Sequence, residues 1–178
     1  MSKSLVTMSR KQLSEALSSA ASYPHENVHK GVGYISDEAF MARDRETNMY
    51  ISPEAMIDLT GSIFFGPWCM IGARSRVYTH DHIHLGKRPL LQVQEELGIM
   101  WQDKYIGADV WVHDSAIVLY QVTKIPNGVV VGAGSVLTKN PGAYEIWAGS
   151  PARRVGVREE VEREAIDDML NANRYSLE

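Results

Sequence analysis

The sequence predicts a mainly β fold, a coil of short strands that turns a corner every six residues. Three observations carry this. From about Pro53 to Lys139 the chain divides into six-residue units, and most units open on a bulky apolar residue with a small or aliphatic residue four places later. The period itself is the third, because it fits neither a helix at 3.6 nor an alternating strand at 2.

The units are LTGSIF from Leu59, FGPWCM from Phe65, IGARSR from Ile71 and VYTHDH from Val77, preceded by a weaker PEAMID from Pro53. After a gap the phase resumes with IGADVW from Ile106, VHDSAI from Val112 and VLYQVT from Val118. One extra residue, Lys124, shifts the frame before IPNGVV, VGAGSV and LTKNPG. The fifth places are Ile63, Cys69, Ser75, Val110, Ala116, Val122, Val129 and Ser135. The first residue of a unit is expected to point inward and the fifth to stack beside it. The glycines in second place (Gly66, Gly72, Gly107, Gly132) are expected at tight corners where a positive φ is useful. Successive coils then pair as parallel strands, each covering its neighbour's edge.

Around this repeat the chain divides into an N-terminal helical or irregular segment (1–50), the β domain (51–155) interrupted by a loop (83–104), and a C-terminal helix (156–178). The first segment offers an amphipathic stripe of Leu13, Ala16, Leu17 and Ala20. The last, REEVEREAIDDMLNAN, has acidic residues in its first turns, as the helix dipole prefers. A long loop inside a compact domain is usually functional.

The length of 178 residues suits one domain with its own core. Lys plus Arg number 18 against 22 Asp plus Glu, a net charge of −4, which favours neither a nucleic-acid nor an anionic-membrane partner. The first residues hold no apolar run of signal-peptide or membrane-span length, and Cys69 is the single cysteine. Both agree with a cytoplasmic, reducing compartment. Cys69 falls at a fifth place and reads as a buried small hydrophobe.

The first block of units ends in Tyr78-Thr79-His80-Asp81-His82-Ile83-His84, where the loop leaves. Histidine suits general-base work near neutral pH. In an extended segment residues 80, 82 and 84 point the same way, so any of the three imidazoles fits the role. Three neighbouring histidines on one strand match a closed tetrahedral metal site poorly without ligands from elsewhere, and no metal is expected. His113 reads as a corner residue.

The repeat, together with GAGSVLTK from Gly132 and AGSPAR from Ala148, resembles the hexapeptide-repeat acyltransferases. That resemblance covers roughly residues 51 to 155. It implies a left-handed parallel β-helix shaped as a three-sided prism, and an acetyltransferase that uses acetyl-CoA as co-substrate. It places the general base at His82. It puts coenzyme contacts at Asp114, Ala133, Thr138, Lys139 and Arg153, with Trp111 beside the thioester or against a neighbouring subunit. Lys139 and Arg153 suit the nucleotide phosphates as point charge and fork. The resemblance further implies a homotrimer with active sites between subunits.

Here the sequence departs from the family's sugar acetyltransferases. The positions that hold their acceptor correspond to Ser52, Leu59 and Thr60, with no Asn. Asp58 and Asp81 remain as acceptor-binding or His-orienting carboxylates, and His84 as a further substrate contact. A sugar or sugar nucleotide is the expected acceptor, with an antibiotic or other xenobiotic next. Two other classes stay open: a zinc-dependent, carbonic-anhydrase-like hydratase on the same prism, and a catalytically silent scaffold.

Overall fold

The computed structural model of the chain describes residues 8–9, 33–35 and 46–168. Among the described residues the elements are eighteen short strands and an eight-residue helix, with residues 163–168 also helical. Three parallel sheets form the faces of a prism, and the chain visits them in turn. The first face stacks β2 (Gly33–Ile35), β6 (Ile63–Phe65), β11 (Lys104–Ile106) and β14 (Lys124–Ile125). The second stacks β4 (Tyr50–Ile51), β7 (Met70–Ile71), β12 (Trp111–Val112), β15 (Val130–Val131) and β17 (Glu145–Gly149). The third stacks β5 (Met56–Ile57), β8 (Arg76–Val77), β13 (Ile117–Val118) and β16 (Val136–Leu137). An antiparallel strand, β18 (Ala152–Val157), pairs with β17. A small pair, β1 (Met8–Ser9) with β3 (Glu46–Thr47), stands apart from the three faces.

The six-residue alternation sets the core. Ile51, Ile57, Ile71, Val77, Val112, Val118, Ile125, Val131 and Leu137 are inaccessible to solvent. The fifth-place residues Ile63, Cys69, Ser75, Val110, Ala116, Val122, Val129 and Ser135 are buried between them. A narrow prism has room for one large and one small side chain per turn, which is why both positions repeat. The Cys69 thiol fills such a place and donates to the carbonyls of Gly107 (3.0 Å) and Gly66 (3.3 Å). Burial pushes its pKa up to about 12, which suits packing rather than nucleophilic work.

The glycines act differently from the expectation. Positive φ falls two residues after them, at Trp68 (66°), Arg74 (57°), Asp109 (56°) and Gly134 (65°). At Gly66, Gly72 and Gly107 glycine is required because the next coil presses on it. A Cβ on Gly66 would sit 2.7 Å from the Ala108 nitrogen and 2.7 Å from the Gly107 carbonyl carbon. Both obstacles are backbone and have nowhere to go. Gly66→Ala is therefore expected to destabilise the fold by about 1–3 kcal/mol, read as a lower urea midpoint at unchanged slope.

Corner amides without a strand partner are taken by Asp and Asn side chains of the next coil. Asp103 Oδ1 accepts from the Ser62 N–H (2.8 Å), Asp114 Oδ1 from Ala73 (2.9 Å), Asn127 Oδ1 from Ala108 (2.9 Å) and Asn140 Oδ1 from Thr123 (2.9 Å). Each satisfies a backbone donor that water would otherwise have to reach.

The interruption expected at 83–104 is not an irregular loop. It carries the helix α1 (Leu90–Leu97) and returns along β10 (Ile99–Trp101), which pairs antiparallel with β9 (His80–His82). Leu90, Val93 and Leu97 give α1 a stripe, of which Val93 is buried. Gly98, at φ 77°, ends the helix by donating its N–H to the Gln94 carbonyl.

β2 pairs with β6 and β4 with β7, so strands at 33–35 and 50–51 already stack on the prism; most of residues 1–50, where a helical or irregular segment is expected, lies outside the described residues. The stripe Leu13–Ala20 lies outside the described residues. In the C-terminal segment, residues 159–162 are not helical and 163–168 are, the rest of that stretch lying outside the described residues.

Candidate active site

Four corners stack along the edge between the third and first faces: 58–62, 79–80, 119–123 and 138–140. The second of them opens into β9, and here the candidate site is built. Asp58 is 3 % exposed and gathers donors on both oxygens. Its Oδ1 accepts from the Thr60 N–H (2.9 Å) and hydroxyl (2.7 Å). Its Oδ2 accepts from the Thr79 N–H (2.9 Å), the Thr79 hydroxyl (3.0 Å) and the His80 N–H (3.0 Å). Oδ2 also lies 2.5 Å from His80 Nδ1. Burial alone would raise the Asp58 pKa, but the hydrogen bonds from Thr60, Thr79 and His80 together outweigh it and hold the carboxyl below its ordinary value. An ionised Asp58 keeps the imidazole proton on Nδ1, so Nε2 is the basic nitrogen of the neutral ring.

Asp58, His80, Asp81 and His82 line a cavity of about 350 Å³ with Met56, Tyr78, Leu119 and Tyr120. His80 and His82 lie on one side of β9, as the alternation requires, with ring centroids 5.6 Å apart. Their partners differ. His82 Nδ1 lies 2.7 Å from Gln94 Oε1 on α1, and the His82 N–H donates to Asp81 Oδ1 (2.8 Å). His84 is exposed, and its Nδ1 donates to the His82 carbonyl (3.0 Å). His80 is thus the histidine whose Nδ1 lies against the buried carboxylate of Asp58.

The residues expected to hold the coenzyme are not all on this edge. Thr138 and Lys139 are, two coils beyond His80, or about 10 Å at the usual strand spacing. Asp114 and Ala133 stand one coil apart on the neighbouring edge, across the third face, where the Gly134 N–H donates to the Asp114 carbonyl (3.0 Å). Asp114 Oδ1 is already engaged by Ala73. Trp111 projects from the second face, 40 % exposed and stacked on His113 with centroids 3.7 Å apart. Arg153 is exposed on β18, and its Nη1 donates to the Ala152 carbonyl. Among the described residues no group of three or more His, Cys, Asp or Glu gathers as for a metal ion, and no helix is long and apolar enough to cross a membrane.

Sequence reasoning passed over Lys104, which is fully buried. Its signal was present: in Lys104-Tyr105-Ile106 the alternation that points Ile106 inward points Lys104 inward as well.

Known proteins of similar sequence and fold are named acetyltransferases. No family model matches the chain. A chloramphenicol acetyltransferase of Morganella morganii is 29 % identical over 139 residues, covering 71 % of this chain and 63 % of the relative. A maltose O-acetyltransferase from Clostridium difficile 630 superposes with TM-score 0.54 at 24 % identity, covering 72 % of this chain and 59 % of that one. A hexapeptide-repeat acetyltransferase of Vibrio cholerae, solved with acetyl coenzyme A, gives 0.54 at 19 % identity, covering 72 % and 60 %. The chain thus spans about 60 % of the length of these proteins. The fold is the left-handed parallel β-helix of the hexapeptide-repeat acetyltransferases.

Proposed function

We propose that the chain is an acetyltransferase that moves the acetyl group of acetyl-CoA to a hydroxyl or amine of a small polar acceptor, with His80 as general base. The observation that carries this reading is the Asp58–His80 pair at the wall of the cavity. His80 Nε2 takes the proton of the attacking hydroxyl or amine as its oxygen or nitrogen bonds to the thioester carbon. The resulting oxyanion collapses, the carbon–sulfur bond breaks, and the coenzyme leaves as a thiol on receiving that proton back from the imidazolium. Asp58 holds the ring and offsets its positive charge while it carries the proton.

Support for the donor comes from the acetyl coenzyme A bound in the Vibrio cholerae protein and from Thr138 and Lys139 on the same edge as His80. Lys139 and Arg153 are placed on the phosphates, and Trp111, Asp114 and Ala133 along the coenzyme arm. Asp81, His82 and His84 remain for the acceptor. A sugar or sugar nucleotide is the first acceptor class. The relative named for chloramphenicol favours a second, an antibiotic hydroxyl.

The same reading carries a cytoplasmic homotrimer with sites between subunits. It is supported by apolar groups left on the outer faces: Met70 and Trp111 on the second, and the stacked Phe64–Tyr105 pair on the first, with centroids 4.7 Å apart. Sedimentation of a stable monomer would undo it.

The test is thiol release from acetyl-CoA with panels of sugars, nucleotide sugars, aminoglycosides and chloramphenicol. At least one panel member is expected to release thiol above the hydrolytic background. Silence across the panels, together with no coenzyme binding by calorimetry, sinks the proposal.

A further inference from the structure

Apart from the thiol of Cys69, the buried ionisable side chains among the described residues are two, Asp58 and Lys104. Asp58 belongs to the site. Lys104 opens β11, pairs in register with Ile63 and is fully buried, where a coil of this kind calls for an aliphatic residue. An ammonium inside such a core is costly unless its donors are taken. Two of the three have acceptors: Nζ donates to the carbonyls of Leu119 (3.2 Å) and Val122.

Those two carbonyls belong to a corner that is longer than a six-residue unit allows. Ile106 pairs with Ile125, nineteen residues on, where three six-residue units would make eighteen. The additional residue lies between Val118 and Ile125, and two carbonyls of this corner turn toward the interior. The same corner supplies Leu119 and Tyr120 to the cavity that His80 lines. From its outer side the Tyr120 hydroxyl reaches Met100 Sδ (3.8 Å) on β10, the strand paired with β9. The corner's ends are tied to the coils on either side, Leu119 N–H to the Leu137 carbonyl, the Thr123 carbonyl to the Tyr105 N–H, and Thr123 to Asn140. The buried ammonium ties it from within.

We infer that Lys104 is a positioning residue of the site, holding the Leu119–Val122 corner so that the Leu119–Tyr120 wall stands at a fixed distance from His80. This rests on the acetyl-transfer reading for what the cavity binds, but not for the tie itself. Lys104 reaches neither acceptor nor coenzyme. It sets how well the acceptor fits and leaves the proton transfer at His80 to proceed.

Lys104→Met keeps the length of the side chain and removes all three donors. Amide hydrogen exchange at residues 119–123 is expected to quicken tenfold or more in this variant, with β7 and β12 unchanged. With acetyl-CoA and whichever panel member is acetylated, KM for the acceptor is expected to rise about tenfold while kcat and KM for acetyl-CoA stay within twofold. A merely structural lysine would lower the active fraction, and so kcat, at constant acceptor KM. That result overturns the inference, as does exchange at 119–123 within twofold of the parent. Inactivity of the unaltered protein toward every panel member counts against acetyl transfer instead, and exchange then decides alone. Should Lys104→Met not fold, Lys104→Gln, which lacks the charge and the reach, is read in the same way.

Discussion

His80→Ala is expected to lower kcat for acetyl transfer by about 10²–10⁴-fold, the usual worth of a positioned general base, with KM for acetyl-CoA little changed. Asp58→Asn should follow at about 10²-fold, because it leaves a ring of similar position with its tautomer no longer held. The amide that replaces the carboxylate offers Nδ1 a donor or a neutral acceptor, and the imidazolium formed during transfer loses its countercharge. His82→Ala is the discriminating control. Its ring is tied through Nδ1 to Gln94 on α1, so its loss should cost less than tenfold and fall mainly on the acceptor KM. A kcat loss for His82→Ala equal to that for His80→Ala would return the base to His82.

The depressed Asp58 pKa also fixes what acid does here. Its folded value lies below the ordinary 3.8, so it contributes stability that is present above 3.8 and lost as pH falls through the lower folded value. Asp58 therefore stays ionised across the neutral range, and a decline in activity near pH 6 would not come from its protonation.

How much of this was legible beforehand follows from the geometry of a coil. The inward positions repeat every six residues, so each unit reports the fold again, and burial at Ile71, Val112 and Val131 matches the first places of their units. The site has no such redundancy. Asp58 and His80 meet because β5 and β8 stack with Met56 beside Arg76 and Ile57 beside Val77, a coil of 20 residues. The units as read, six residues each from Pro53 to Val77, give 18; the two further residues in the corner after Ile57 put Asp58 beside Tyr78, near enough to serve the corner after it. The choice between His80 and His82 needed the shape of that corner, in which Thr60 and Thr79 turn their donors onto Asp58. Nothing in the spacing reports a side chain's aim. The glycines mislead for a related reason. Their place in the unit shows that a side chain is excluded, but not whether the cause is its own φ or the neighbouring coil, and here it is the coil.

The second large effect is expected in stability against pH. Burial lowers the Lys104 pKa from 10.5 to about 7, and the nearby Asp58 charge only partly restores it. Below pH 7 the ammonium is charged in both folded and unfolded chains, and the cost of burying it is fully present. Between about 7 and 10.5 the unfolded chain binds the proton that the folded chain has released, so this residue's contribution to stability rises with pH. At about 1.4 kcal/mol per unit the gap sets a ceiling of about 5 kcal/mol, and the change from pH 6.5 to 9 should be about 1–3 kcal/mol. Urea unfolding at fixed protein concentration is expected to show that rise in the parent and its absence in Lys104→Met. The sign matters as much as the size. A cation worth keeping for stability would make the parent weaken as the pH rises. The opposite slope would mark Lys104 as retained at a cost, which fits a residue whose task is to hold the Leu119–Val122 corner beside His80.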